Sequence, residues 1–141
     1  MIDFKCAVYD GSYHSVDSNE MAFKTAARIG FQKAAEQAEP VILEPMAYIE
    51  VTVPEAYAGS IMGDISASRG RVEGMNINEH GNTVVEATVP YAEVVDYSTR
   101  LRSLSRGTGE FNLELRGYEQ VPHDVQQKLA EKYEEEKNQG R

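Results

Sequence analysis

The sequence predicts an α+β fold: a four-stranded antiparallel sheet with two helices on one face, preceded by a partial α/β domain of one strand and one helix. Three observations predict it. Four segments after residue 40 alternate between apolar and polar residues, as half-buried strands do. Two segments between them have helical spacing, and each begins after a proline and ends at a glycine. Each of these helical segments is preceded by Thr-Val-Pro and followed by Ser-Arg-Gly, so one local pattern occurs twice.

The first part of the chain predicts one strand and one helix. Residues 4–9 form an apolar run typical of a strand, and a polar loop follows. Asp17 or Ser18 is the expected helix cap, because Asp17 and Glu20 have the spacing of a capping box. Helical spacing then continues to about Gln37. A lone strand and helix cannot bury both apolar faces, so this part packs on the rest of the chain or belongs to a larger domain.

An internal repeat organises the second part. Thr52-Val53-Pro54 is followed by a helical segment and Ser68-Arg69-Gly70, and Thr88-Val89-Pro90 by a helical segment and Ser105-Arg106-Gly107. Two such units in series give β-α-β-β-α-β, the split βαβ or ferredoxin-like arrangement, over residues 41–117. Right-handed crossovers then place both helices on one face of the sheet.

Several local features refine this prediction. Pro45 is expected at an edge or bulge because it has no N–H, and Gly74 marks a second bulge. Pro122 starts a last helix, whose charged end at 131–137 is expected to be solvated and frayed. The first helix between strands should place Tyr57, Ile61, Met62 and Ile65 on its inward face. The second should place Val94, Val95, Leu101 and Leu104 there. The sheet should bury Ile49, Val51, Val85, Ala87, Leu113 and Leu115.

Charge and composition limit the possible functions. The 141 residues include 23 acidic and 14 basic side chains, a formal charge of −9, which argues mildly against nucleic acid as a partner. Local basic patches can override a net charge. Cys6 is the only cysteine, so no intrachain disulfide is possible. No signal-peptide pattern or membrane-length apolar run occurs, so a soluble, cytoplasmic chain is expected.

Motifs for catalysis or cofactor binding are missing from the sequence. No G-x-x-x-x-G-K-[ST] stretch occurs, and residues 59–64 have the wrong spacing and no lysine. His14, His80, His123 and Cys6 are scattered without metal-ligand spacing. We therefore expect no catalytic residue, no metal and no cofactor in this chain.

Three stretches together resemble elongation factor G. The first is residues 9–24, which begins Tyr9-Asp10-Gly11-Ser12-Tyr13-His14. The second combines Leu43-Glu44-Pro45-Met46 with Val53-Pro54-Glu55-Ala56-Tyr57-Ala58-Gly59. The third combines Val89-Pro90-Tyr91-Ala92-Glu93, Leu101-Arg102-Ser103 and Tyr118-Glu119-Gln120-Val121-Pro122. Each fragment is weak alone, but their order and spacing over most of the chain make the resemblance specific.

The resemblance implies a domain organisation and a set of partners. Residues 1–38 correspond to the second half of the family's fourth domain, 40–121 to its ferredoxin-like fifth domain, and 122–141 to a C-terminal helix and charged tail. In the family, GTP hydrolysis drives or gates tRNA–mRNA movement on the ribosome, and GTP and Mg are held by a domain upstream of this part. The implied partners are rRNA, stalk-base proteins and A-site tRNA, with no membrane and no DNA.

Two contact sites follow from the resemblance, residue by residue. Ser12, Tyr13 and His14 match a tip loop that approaches the A-site tRNA, where an aromatic ring can stack and an imidazole can donate to phosphate. The alternative is that Tyr13 packs under the loop and His14 is a solvated turn residue. The second site lies at the end of the first fifth-domain helix, where an arginine can meet rRNA phosphate or simply complement the helix dipole. Its residues are Ser68, Arg69 and Arg71.

Departures from the family pattern leave other functions open. Val94-Val95-Asp96-Tyr97-Ser98-Thr99 stands where the family has Met-Phe-Gly-Tyr-Ala-Thr, and Arg106-Gly107-Thr108 where it has Gln-Gly-Arg. The parent could thus be a specialised paralogue or a ribosomal protection protein. A different class is an acidic ferredoxin-like domain that binds a protein or small regulator through its sheet. An acylphosphatase-like enzyme is disfavoured, because Val53-Pro54-Glu55 offers neither the Arg nor the Asn that it needs.

Overall fold

The chain divides into two compact units, Met1–Val41 and Ile42–Arg141, and the computed structural model describes residues 1–140. In the first unit, helix α1 spans Glu20–Gln37, as predicted to within a residue or two. Its cap is Asn19, whose Oδ1 accepts the N–H of Ala22 at 2.9 Å. The prediction that Asp17 or Ser18 caps this helix is therefore wrong.

No strand forms at residues 4–9, so that prediction is wrong as well. A strand is stabilised by a neighbour that takes up its N–H and C=O groups. Within Met1–Val41, all of which is described, there is no second strand to do so. The rings of Phe4 and Phe31 meet edge-on with centroids 5.9 Å apart, yet α1 has no buried residue. An apolar run indicates a strand only where a partner strand is present.

The second unit has the predicted ferredoxin-like arrangement. Its elements are β1 Leu43–Pro54, α2 Glu55–Ala67, β2 Arg71–Ile77, β3 Asn82–Pro90, a 3-10 turn Tyr91–Glu93, α3 Tyr97–Leu104, β4 Glu110–Gln120 and α4 His123–Gln139. The strands lie in the order β2-β3-β1-β4, and every neighbouring pair is antiparallel. Helix α2 connects β1 to β2, and α3 connects β3 to β4.

Both predicted irregularities of the sheet are confirmed. The β1–β4 register shifts between Pro45 and Ala47, where the proline has no N–H to donate. The β2–β3 register shifts between Val72 and Gly74. A Cβ on Gly74 would lie 2.9 Å from Oε2 of Glu86 across the sheet, but that atom ends a flexible side chain that can move aside.

The core lies between the sheet and the inner faces of α2 and α3. From the sheet it takes alternate residues of the two central strands, including the predicted Ile49, Val51, Val85 and Ala87. From the helical side it takes Ile61, Ile65, Val94, Tyr97 and Leu101. Burial of these largely aliphatic side chains supplies most of the driving force for folding, at roughly 1.5–3 kcal/mol for each large apolar side chain.

Three residues predicted to be buried, Val95, Leu115 and Met62, are exposed instead. Val95 is 70% exposed and Leu115 59% exposed, whereas Leu113 is half-buried and packs against the core. After β3 the chain makes a 3-10 turn, and α3 begins only at Tyr97 and is eight residues long. Tyr97 therefore takes the inward position expected of Val95, and the short helix leaves part of the edge strand β4 uncovered. Met62 of α2 is likewise partly exposed.

Helix α4 begins directly after Pro122, as predicted, but continues to Gln139. The charged segment expected to be frayed is therefore helical. Lys132 and Glu136 lie one turn apart with Nζ and Oε1 separated by 3.9 Å, an arrangement that modestly favours the helix. The first turn of α4 is tied to the start of the sheet, because Oε1 of Gln126 accepts the N–H of Ile42 at 3.2 Å.

Candidate nucleic-acid interface

The loop that carries the first predicted site ends in a tight turn before α1. The carbonyl oxygen of His14 accepts the N–H groups of Asp17 and Ser18 at 3.2 and 2.9 Å. The N–H of His14 donates in return to Oγ of Ser18 at 2.8 Å. These bonds fix the backbone at His14 and leave its imidazole exposed. The side chain is thus free to donate to a ligand, while its main chain is held in place.

Tyr13 combines the two interpretations that the sequence left open. Its ring stacks on Phe23 of α1, with centroids 6.4 Å apart and planes 11° from parallel. The side chain is nevertheless 69% exposed, so a large part of its surface faces solvent. Ser12 is exposed beside it. An exposed ring that is already oriented by a neighbour can stack on an unpaired base at low entropic cost.

The second predicted site lies where α2 ends, and its backbone follows the Schellman pattern. Ser68 is the cap, Arg69 has a left-handed φ of 57°, and the N–H of Gly70 donates to the carbonyl of Ile65 at 2.8 Å. A Cβ on Gly70 would lie 2.4 Å from Cγ1 of Val89, so glycine is needed there for packing. The chain consequently turns sharply from α2 into β2.

The guanidinium of Arg69 is held by two carboxylates of its own chain. Its two terminal nitrogens donate to both oxygens of Glu44 at 2.8 and 2.9 Å, and Nε lies 3.4 Å from Oε1 of Glu93. The hydrogen bonds that Arg69 donates to Glu44, with the charges of Glu44 and Glu93, raise the pKa of Arg69 against the opposing effect of burial. A bidentate pair of this kind is the stronger sort of ion pair. Arg69 therefore joins α2 to β1 and to the turn after β3.

Ser68 is the buried member of this predicted site. It is 5% exposed, and its Oγ accepts a hydrogen bond from Arg100 of α3 at 3.0 Å. Arg100 also donates to Asp64 at 3.1 Å and to the carbonyl of Glu93 at 2.8 Å. Ser68 thus belongs to a network between α2 and α3. Arg100 was not predicted from the sequence, since no local spacing connects it to an acid 36 residues away.

Arg71 is the most accessible of the three residues predicted here. Its side chain is 67% exposed, and it donates to Glu119 of β4, itself 49% exposed, at 3.1 Å. Exposed pairs of this kind contribute only about 0–1 kcal/mol, so a phosphate can compete for the arginine. One shallow cleft of about 130 Å³ is lined by Arg69, Arg71, Glu44 and Glu119, among other residues.

The second copy of the repeat has the same backbone at the end of α3. Ser105 is fully buried, and its Oγ donates to the carbonyl of Leu101 at 2.6 Å and accepts the N–H of Gly109 at 2.9 Å. Arg106 has a left-handed φ of 51°, and the N–H of Gly107 donates to the carbonyl of Arg102 at 2.9 Å. The repeated Ser-Arg-Gly is evident in the sequence, but no site was predicted at Arg106.

The sheet face opposite the helices is acidic. Glu50 and Glu86 lie directly across from each other on β1 and β3, an arrangement that costs stability because like charges repel. Glu114 lies opposite Tyr48, whose ring is covered by the guanidinium of Arg116 at 3.8 Å from its centroid. This face is unsuited to RNA phosphate and suited to a basic partner.

Neither a metal site nor a membrane span is found among the described residues. Among residues 1–140, no three His, Cys, Asp or Glu side chains are grouped so as to hold a metal ion. None of the helices in that range combines the length and apolar composition that crossing a bilayer requires. Cys6 is a free, exposed thiol.

Comparison with known proteins gives matches over nearly the whole chain. Residues 1–39 match the family described as elongation factor G, domain IV, and residues 41–129 match the elongation factor G C-terminus. A crystal structure of a protein from Thermus thermophilus is 40% identical to this chain, with a TM-score of 0.72 over 88% of its residues. The match covers 19% of that chain, so the present chain spans about a fifth of its length.

Proposed function

Because the chain belongs to the elongation factor G family, we propose that it is a ribosome-binding part of a translational GTPase that promotes tRNA–mRNA movement in the cytoplasm. The observation that carries the proposal is the presence of both matched domains in one chain, in the family's order. Neither is the family's GTPase domain. GTP and Mg then belong to the upstream part of the parent, and this chain supplies contacts and no catalysis.

Exposure and local order support a contact between the loop at Ser12, Tyr13 and His14 and the A-site tRNA. The loop backbone is fixed by the bonds around His14, and the ring of Tyr13 is fixed by Phe23. In this proposal Tyr13 stacks on a base or ribose, and the imidazole of His14 donates to phosphate. Ser12 adds a small hydroxyl that can donate or accept beside them.

At the end of α2, the three residues have different proposed roles. Arg71 contacts an rRNA phosphate, because its guanidinium is exposed and held only by a weak surface pair. Arg69 and Ser68 position the start of β2, and hence Arg71, through Glu44 and Arg100. Stalk-base proteins complete this surface in the proposed complex.

Co-sedimentation with purified ribosomes tests the proposal. The chain is expected to sediment with ribosomes in low salt and to be released as salt increases, since phosphate contacts release counterions. Arg71→Gln should weaken sedimentation, whereas Arg28→Gln on α1 serves as a control that removes the same charge elsewhere. Calorimetry should show no GTP binding by this chain at micromolar concentrations. Failure of the unchanged chain to sediment at any salt concentration would refute ribosome binding.

The acidic sheet face favours one further candidate: a ferredoxin-like domain that binds a basic protein or small regulator through its sheet. The opposed Glu50 and Glu86 support it, because an intrinsically unfavourable pair gains from a cationic partner. The parent gene distinguishes the candidates. A P-loop upstream in the same reading frame favours a translocase or a specialised paralogue, as it also would a ribosomal protection protein, and its absence favours the regulatory domain.

A further inference from the structure

The two Ser-Arg-Gly segments place an arginine where helix ends usually place glycine. At both ends the residue after the cap has a positive φ, 57° at Arg69 and 51° at Arg106. A side chain with a Cβ is strained in this conformation, and glycine is not. The repeat therefore carries the same local cost twice, and each cost should be offset by something that the arginine side chain does.

At Arg69 the offset lies within the chain. The guanidinium makes a bidentate pair with Glu44, whose side chain is only 14% exposed, and a further contact with Glu93. Glycine at this position would relieve the backbone but leave the carboxylate of Glu44 without its cation. The first copy of the motif is thus explained by the fold alone.

At Arg106 no such offset is found in residues 1–140. Its side chain is exposed, and among those residues no carboxylate pairs with it. The same holds for Arg102, one helical turn earlier on α3. The contrast is sharp, because the other four described arginines of the second unit, at 69, 71, 100 and 116, all pair with acids. In a chain of net charge −9, two neighbouring unpaired arginines are unexpected.

We propose that Arg106, with Arg102 beside it, is a phosphate-contacting site for ribosomal RNA, separate from the cleft at Arg71; this rests on the proposed function. Arg106 follows the cap of α3 with a left-handed backbone, so it lies just past the helix and is exposed. Guanidinium groups match phosphate geometry and stay charged at every physiological pH. The cost of the strained backbone is offset when the phosphate binds.

Arg106→Gly tests the proposal because it predicts opposite changes in stability and binding. Relief of the positive φ should raise the ratio of folded to unfolded chain by about fivefold, seen as a higher urea midpoint. Ribosome binding at low salt should weaken about three- to tenfold, and the slope of log affinity against log salt should fall by about one contact, roughly 0.7–0.9. Arg106→Lys keeps the charge and should retain most of that slope. Arg69→Gly, the matched control, should instead lower stability.

The possible outcomes separate the alternatives. If the unchanged chain sediments with ribosomes but Arg106→Gly binds equally well with the same salt slope, the site at Arg106 is refuted and the proposed function stands. If the unchanged chain does not sediment, the proposed function fails and the site fails with it. Binding to protein-free ribosomal RNA provides the last comparison. A variant that binds ribosomes weakly but free RNA normally would show an acidic protein as the partner, against the proposal.

Discussion

Tyr97 provides the most quantitative test of the core. Its side chain is 1% exposed, its ring meets Phe111 edge-on at 5.3 Å between centroids, and Arg100 lies over its face. Among the described residues, no group accepts a hydrogen bond from its hydroxyl. Burial, with a further contribution from the charge of Asp64, raises the pKa of Tyr97 to about 12. The ionised phenolate is therefore strongly disfavoured in the folded chain.

The pH dependence follows from that shift. In the unfolded chain a tyrosine ionises near pH 10, and in the folded chain Tyr97 ionises near 12. Its contribution to stability is therefore fully present below pH 10 and is lost as pH rises towards 12. Between pH 9 and 11 this one group should lower the free energy of unfolding by about 1.3 kcal/mol, out of about 2.7 kcal/mol for the full two-unit shift.

Tyr97→Phe isolates this effect. At pH 7 the variant should be as stable as the unchanged chain or slightly more stable. It removes a buried hydroxyl that has no hydrogen-bond partner among the described residues. Between pH 9 and 11 it should lose about 1.3 kcal/mol less, measured by urea unfolding followed by circular dichroism. Tyr133→Phe on α4, where the ring is 66% exposed, should match the unchanged chain. Equal alkaline losses in all three proteins would refute the assigned pKa.

Three other predictions follow from the same structure. Leu113→Ala should cost about 1–2 kcal/mol in urea unfolding, below the usual range for a buried leucine, and Leu115→Ala less than about 0.5 kcal/mol; equal costs would contradict the exposure of β4. Arg69→Ala should lower the free energy of unfolding by about 1–2 kcal/mol and Arg71→Ala by at most about 1 kcal/mol, and a reversed order would contradict the stabilising ion pairs of Arg69. His14→Ala should change stability by less than about 0.5 kcal/mol and, in the full-length parent, slow tRNA movement but not ribosome-stimulated GTP hydrolysis; unchanged movement would make His14 a solvated turn residue.

Sequence predicted the second unit well because its information is local and repeated. Alternation in β1 gives Ile49 and Val51 their inward direction, and the two prolines mark where each helix begins. The repeat then determines the strand order without knowledge of any contact. Leu115 was misplaced because alternation defines a face of a strand and not what covers that face. The length of α3 decides how much of β4 is covered, and that length depends on a 3-10 turn that no residue pattern predicted.

Predictions for the first unit and the sites depended on partners that sequence does not contain. Residues 4–9 have strand composition, but a strand requires a neighbour. Asn19 competed with Asp17 and Ser18 for the cap, and all three residue types can fill it. Arg69 and Arg71 look alike in sequence, and only the distant Glu44 and Glu119 distinguish a clamped arginine from an accessible one. Long-range acid partners are the information that local patterns lack.

The strand order has a consequence for how the second unit is made. Strand β1 is central and is synthesised first, but its partners β3 and β4 come later, and β4 pairs Gln120 with Leu43. Until β4 emerges, the edge of β1 that pairs with β4 is open in the nascent chain. That strand carries the apolar residues Ile49 and Val51. Closing so long a loop is slow, and an open apolar edge invites pairing with other chains. A translating ribosome would thus release an aggregation-prone intermediate if synthesis stopped short of residue 110.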